Sequence, residues 1–311
     1  MQRRKKSDHR RFWIIAGINL LLSPLVLYAL LCLSRPPRTN QEQILFNGVV
    51  YQRRALSTPR LVMMHIVTVD LTAAGVKPLV TPGIPNQEQG TTKARTTTEF
   101  LREFQLQLAI NASYFYPFRE NNPWDYYPHS GDIAYPLGDA IANGSRYAKP
   151  QQSRGVVCFS PKNVAKILAS GQCPQDTVQG VAGKEILVTD GKPVISQLPD
   201  DQPYSRVVVA VNKEGTKLWL IIVDGKQPFY SDGLTIPELS KTVADLGVYT
   251  ALKMDGGGST TLAVTTSDGV KVLNAPIHTH VPMRERPVAN HLGFFALNRE
   301  SGRRGRRDEG G

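Results

Sequence analysis

Short, almost unbroken apolar runs punctuate the chain, and they limit its fold more than any other feature. They fall at 49–52, 61–69, 108–115, 155–159, 185–189, 206–211, 218–224, 249–254, 260–265 and 292–297. Runs of this length, rich in Val, Ile and Leu, predict strands, because helices need longer apolar periods. Several lack polar alternation, as expected for strands covered on both faces. Helical signals are few. Thr96 followed by Glu99 has capping-box spacing, and Phe100, Leu101, Phe104 and Leu108 continue it at a helical period. Thr235 and Glu238 repeat the device with Pro237 in the first turn, Leu239, Val243 and Leu246 on one face, and Gly247 as a stop. The pattern predicts an α+β domain, a large mixed β-sheet core with few flanking helices, preceded by one N-terminal transmembrane helix.

That helix is expected over residues 12–34. The apolar run from Phe12 to Leu33 has 22 residues. At about 1.5 Å per helical residue it reaches about 33 Å, the thickness of a bilayer core. It ends Leu30-Leu31-Cys32-Leu33-Ser34-Arg35-Pro36, without the small-residue site of a cleaved signal peptide. Six basic residues precede it and only Arg35 and Arg38 closely follow, which predicts a single-pass topology with a cytoplasmic N-terminus and an extracytoplasmic domain. Residues 1–11 then form a basic cytoplasmic tail, 35–43 a polar linker, 44–298 the folded domain and 299–311 a disordered basic tail.

The net charge of +11 points toward nucleic acid only until its distribution is read. The tail 1–11 carries +5 and the tail 299–311 carries +2, leaving an ordinary +4 for everything between. No nucleic-acid partner is expected. Cys158 and Cys173 are the cysteines beyond the apolar run; an oxidising compartment permits a bridge between them, and two buried thiols are the alternative.

The richest motif is Met254-Asp255-Gly256-Gly257-Gly258-Ser259-Thr260-Thr261. An apolar strand ends in a carboxylate, and three glycines follow at an entropic cost that a plain turn does not explain well. They would let backbone N–H groups approach a ligand, with a Gly-rich hairpin turn as the bland alternative. The run lacks the Gly-Lys-Ser/Thr of a phosphate-cradling loop. Asn111 ends another apolar segment, where its amide could meet a sugar hydroxyl or hold the next loop. The aromatic-rich stretch 114–127 could stack on sugar rings. Arg206 opens an apolar strand and suits phosphate, or simply starts the strand. Asp224 ends a strand in Val223-Asp224-Gly225-Lys226, and a polar cluster runs from Arg284 to His291. His278 and His280 could share a face as a metal pair, but no acidic or cysteine cluster completes them, and a solvated loop is the better reading.

Taken in order, these motifs resemble the phosphodiester glycosidase family. The resemblance runs from about Val62 to Leu297 and rests on Asn111-Ala112-Ser113-Tyr114-Phe115, the Arg206-led strand, Val223-Asp224-Gly225-Lys226, the helix start at 233–239, Asp255 to Thr261, and Arg286-Pro287-Val288-Ala289-Asn290. Family members often carry Asn-Gly-Gly where this chain has Asn111-Ala112-Ser113, so the following loop is expected to differ. The resemblance implies a hydrolase that cleaves the glycosidic bond of a sugar-1-phosphodiester; with the domain placed outside the cell, cell-envelope or exported glycans are the expected substrates. It implies Asp255 as base, nucleophile or ion stabiliser and Asp224 as a second carboxylate. Substrate would be bound by Asn111, Arg206, Gly256, Gly257, Gly258, Ser259, Thr260, Arg286 and Asn290. No metal or other cofactor is demanded, although a divalent cation near Asp255 is compatible with the motif. A non-catalytic glycan-binding domain and a phosphodiesterase cutting the P–O bond are the alternatives.

Overall fold

A computed structural model describes residue 13 and residues 22–85, 90–194 and 201–298. Three sheets carry the molecule. The largest has eight strands in the order Gln41–Phe46, Val49–Leu56, Val62–Asp70, Lys217–Val223, Arg206–Val211, Thr250–Lys253, Ile186–Thr189 and Lys192–Pro193. The second has five, in the order Gly269–Val272, Leu262–Thr266, Leu108–Asn111, His291–Phe295 and Lys77–Val80. The third orders Ser145–Ala148, Ala140–Ala142, Gln179–Ala182, Val156–Phe159 and Ala165–Leu168.

The expected mixed sheet is not what forms. Apart from an isolated bridge between Ile277 and Arg284, every pairing among the described residues is antiparallel. The continuous apolar runs arise from double-sided burial instead. In the strand Arg206–Val211, Val207, Val209 and Val211 face a core shared by all three sheets. Val208 and Ala210 face the other side, against Ile236, Leu239 and Val243 of a helix. Pleat alternation thus sends successive valines into opposite cores, each burial contributing about 1.5–3 kcal/mol relative to exposure.

Both capping boxes form. Helix α1 spans Thr97–Glu103 with Thr96 as its cap, and helix α2 spans Ile236–Ala244 with Thr235 as its cap. Each cap stabilises its helix by about 1 kcal/mol. Helix α1 is shorter than its apolar period: Gln105 takes a positive φ of 52° and Leu108 already belongs to a strand. Phe100 and Leu101 of α1 pack on Ala109 and Ala263, covering the second sheet. Cys158 and Cys173 are joined in a disulfide.

At the N-terminus, residues 22–33 are helical. Among the described residues no helix is long and apolar enough to cross a membrane, so the expected transmembrane helix is not supported by them. Residues 14–21 of that segment lie outside the described residues, as do the basic tail 1–11 and the tail 299–311. The expected linker 35–43 is docked rather than free. Arg53 donates to the Thr39 carbonyl at 2.9 Å, Ala55 N–H donates to Asn40 Oδ1 at 2.9 Å, and residues 41–43 already belong to the first strand.

Candidate active site

The site lies where the large sheet meets the second sheet. The strand Thr250–Lys253 leaves the large sheet into Met254 and Asp255, and the next turn is a 3-10 turn over Gly257–Ser259. Asn111, at the end of its own strand, staples this turn. Its amide donates to the Asp255 carbonyl at 2.7 Å and accepts from Thr261 N–H at 3.0 Å. The Asp255 N–H donates to the Ala112 carbonyl at 2.9 Å. The carboxylate is therefore fixed by two sheets rather than by a mobile loop.

The glycines admit protein neighbours. A side chain at Gly256 would meet the Ser205 carbonyl oxygen at 2.6 Å. Gly257 takes a positive φ of 63° and lies against the Tyr204 ring. This close packing of the adjoining chain, more than a ligand's approach, accounts for the run.

Asp255 forms part of the wall of a cavity of about 280 Å³ together with Tyr114, Phe118, Glu120, Tyr204, Arg206, Lys253 and Arg286. The Asp255 residue is only 9% exposed. Burial pushes its carboxyl up to about 6, against the opposing pull of Ser259, the Arg286 charge, the Gly256 N–H and Lys253. Arg286 is itself buried and held on three sides. It donates to Ser259 Oγ at 3.0 Å, to the Glu120 carboxylate, and toward His278 Nδ1 at 3.2 Å. Glu120 also accepts from Thr279 N–H at 2.7 Å and lies 3.0 Å from His278 Nδ1. Partial burial opposes its ionisation, but His278, Arg286 and the Thr279 N–H hold it well below the usual carboxylate range. Burial, assisted by the Arg286 charge, pushes His278 down and favours the neutral ring. Its Nδ1 can donate to Glu120 or accept from Arg286, not both.

Lys253 is buried beside the cavity and paired with Glu185. Burial lowers its affinity for the proton, Glu185 opposes this, and Arg206 adds to the lowering. Arg206 donates from Nε to the Leu234 carbonyl at 3.2 Å and from Nη2 to Asp201 at 3.0 Å. Among the described residues Nε and Nη2 are committed to protein and Nη1 is not. Three cationic side chains and two carboxylates share one small space. Such a place can hold an anionic group beside a carboxyl whose ionisation is disfavoured by burial.

Of the residues singled out from the sequence, Asp255, Gly256, Arg206 and Arg286 line the cavity. Gly257, Gly258, Ser259 and Thr260 stand behind it, Ser259 linking Arg286 to Asp255. Asn111 and Asn290 are fully buried, and their amides are spent on backbone and on Ser113, so neither is free for a sugar. Asp224 is not brought to the cavity. Its carboxylate accepts from Asn274 Nδ2 at 2.9 Å and Ala275 N–H at 3.0 Å, and lies 3.1 Å from His65. This arrangement is a buried structural knot, not a second carboxylate facing substrate. His278 serves the Glu120–Arg286 network, and among the described residues no group of three or more His, Cys, Asp or Glu could hold a metal ion. Sequence reasoning missed Glu120 and Lys253. Lys253 could have been found, because it stands two residues before Asp255 and strand parity puts both on one face.

A family model of phosphodiester glycosidases matches residues 104–295. A search of curated proteins finds no match. Among solved structures, the fold is similar to a hypothetical protein from Synechocystis at 15% identity and a TM-score of 0.61, covering 85% of this chain and 64% of that one. This chain therefore spans less than two thirds of that protein's length. It is also similar to the catalytic domain of zebrafish N-acetylglucosamine-1-phosphodiester alpha-N-acetylglucosaminidase, auto-inhibited by pro-peptide, at 19% identity and a TM-score of 0.57 over 86% of this chain and 92% of that one. A Burkholderia pseudomallei protein aligns at 14% identity and a TM-score of 0.51, over 75% of this chain and 74% of that one. At such identities these likenesses are ones of fold. The family match is broader in consequence: it contains every residue lining the cavity and more than half of the chain, and the chain belongs to the phosphodiester glycosidase family.

Proposed function

We propose that the protein hydrolyses the glycosidic bond of a sugar-1-phosphodiester, releasing free sugar and a phosphomonoester, on cell-envelope or exported glycans. The observation that carries this reading is Asp255, a buried carboxylate facing a cavity that also presents Arg206, Lys253 and Arg286. In this reaction the bond from the anomeric carbon to the bridging oxygen breaks. The phosphate keeps that oxygen, and water supplies the new hydroxyl on the sugar. The leaving group is already a good one, so it needs charge stabilisation more than a proton. The cationic side chains supply that stabilisation. Ionised Asp255 acts on the anomeric side, as base, nucleophile or partner of the developing oxocarbenium ion. The mechanism invokes no cofactor. In the same reading residues 12–34 tether the domain to a membrane, with the N-terminus cytoplasmic and the domain outside.

The test is hydrolysis of a synthetic N-acetylglucosamine-1-phosphodiester in ¹⁸O-labelled water, with products read by mass spectrometry. Free sugar released together with an unlabelled phosphomonoester supports the glycosidase. Label in the phosphate would make the protein a phosphodiesterase, and saturable binding without turnover would make it a glycan-binding domain.

Two predictions arise from the cavity. Asp255 titrates near 6 rather than near the ordinary 3.8, so kcat/KM should rise with pH with a midpoint of about 6. The sign follows from the ionised form being the working one: below that midpoint the carboxyl is protonated and idle. A falling limb at that pH would instead make Asp255 a general acid, and a midpoint near 3.8 would remove it from the rate-determining chemistry. Second, Arg206→Lys should lower kcat/KM on a phosphodiester and spare a neutral aryl glycoside. Losing one charge-assisted bond costs about 1.5–3 kcal/mol, roughly ten- to a hundred-fold in rate. Equal losses on both substrates, at unchanged melting temperature, would shift the phosphate to Arg286.

A further inference from the structure

A second cavity, sharing no residue with the first, lies under the docked segment that follows the N-terminal helix. It measures about 220 Å³ and is enclosed by Ser34, Arg35 and two prolines on one side and by Tyr51, Arg53 and Lys271 on the other. The segment is held down firmly. Tyr230 Oη donates to the Pro36 carbonyl at 3.0 Å, and Arg38 donates to the carbonyls of Tyr230 and Leu56. The cavity is therefore a fixture of the fold rather than a gap under a loose strand.

Its chemistry is one-sided. Arg35, Arg53 and Lys271 line it, and no Asp or Glu does. Among the described residues none of the three forms a salt bridge, although Arg60, Arg95, Arg119, Arg146, Arg206 and Arg286 all do. Arg35 stacks on the Tyr230 ring at 5.3 Å, yet its Nε is buried with no hydrogen-bond partner. Arg53 commits Nε and Nη2 to Thr39 and also hydrogen-bonds the Tyr51 side chain, so it brings its charge to the cavity. A buried guanidinium N–H without an acceptor is costly, and no carboxylate among the lining residues offsets the charges of Arg35, Arg53 and the exposed Lys271. An anion in the cavity would give Arg35 Nε its acceptor and balance a lining of one sign. Guanidinium forks match the oxygen geometry of phosphate, and a lysine adds a point charge.

We infer that this cavity binds a phosphate ester of headgroup size, on the order of glycerol phosphate. The class is common to soluble phosphoesters and to phospholipid headgroups. The cavity adjoins the end of the helical segment 22–33, whose Leu25 and Leu33 are 66% and 80% exposed, so either source can reach it. Glycan hydrolysis at Asp255 neither requires this site nor depends on it.

The test uses the full chain and the double variant R35Q/K271Q, which removes two cations while leaving Arg53 to hold Thr39. Glycerol 3-phosphate binding is measured by titration calorimetry. Flotation compares vesicles of phosphatidylcholine alone with vesicles containing phosphatidylglycerol. Expected is saturable binding that falls at least tenfold in the double variant and is largely restored in R35K/K271R, with hydrolysis unchanged. Loss of glycerol 3-phosphate binding in the variant supports a soluble ligand. A variant-sensitive preference for anionic vesicles, without binding of the free ester, supports a lipid one. No saturable binding of either probe, or equal binding by wild type and a variant of unchanged melting temperature, overturns the inference.

Discussion

Asp255→Asn is expected to lower turnover by roughly 10²–10⁴-fold, the usual range for a positioned proton-transfer group, while the domain stays folded. The folding half of that expectation comes from the hydrogen bonds. Asn111 donates to the backbone carbonyl of Asp255 and Asp255 N–H donates to Ala112, so the staple does not involve the carboxylate. The energetics point the same way. Burial raises the folded-state value above the unfolded one, so the stability associated with the neutral form is present below 3.8 and is lost as pH rises through about 6. Above that pH the ionised carboxylate costs on the order of 3 kcal/mol, and asparagine, being neutral, removes the cost. The variant should therefore melt no lower than wild type at pH 8. Wild-type kcat in a folded Asp255→Asn protein, on a substrate the wild type cleaves, would remove Asp255 from the mechanism. Lost activity with a melting temperature well below wild type would contradict the staple argument.

Much of this was legible in the residues. The two capping boxes located both helices, because a cap is a local device that depends on residues three apart. The strand runs were legible for the same reason, but their pairing direction was not. A strand buried on both faces reads as continuously apolar whether its neighbours run parallel or antiparallel, and here a third sheet and helix α2 cover what parallel crossovers would have covered. Asp255 was legible because a carboxylate beside three glycines at a strand end is expensive without a purpose. Asn111 and Asn290 were also singled out, yet the property that fits an amide to a sugar fits it equally to a neighbouring backbone, and the backbone took it. Glu120 gave no local signal. It sits on a short strand in an aromatic stretch, and its meaning comes from Arg286, 166 residues away. Asp224 misled because Asp-Gly after an apolar strand looks the same whether the carboxylate faces a cleft or, as here, closes a buried knot with Asn274 and Ala275.

Gly258→Ala is expected to disable the site almost as severely as loss of the carboxylate, although it adds one methyl group and changes no charge. Gly258 is not among the positive-φ glycines, so alanine fits the backbone and the whole effect is one of space. Its Cβ would stand 2.4 Å from Arg286 Nη2 and 2.8 Å from Cζ, with the His278 Cα at 3.3 Å. Something must shift, and a flexible arginine end would ordinarily do so cheaply. Here it cannot, because Ser259 and Glu120 hold the guanidinium, His278 lies against it, and the residue is only 7% exposed. Overpacking of this kind costs about 1–3 kcal/mol of stability. Displacing one preorganised cation from developing charge costs roughly 10²–10³-fold in kcat. A merely structural glycine would lower the melting temperature and leave the chemistry of surviving molecules alone, so the pH profile decides between the two. Arg286 is one of the charges pulling the Asp255 carboxyl down against burial. Moving it away should carry the midpoint of kcat/KM above its wild-type position near 6. An unshifted midpoint with wild-type kcat in Gly258→Ala would mean that Arg286 has no need of the space that Gly258 leaves, and that the glycine run serves the turn alone.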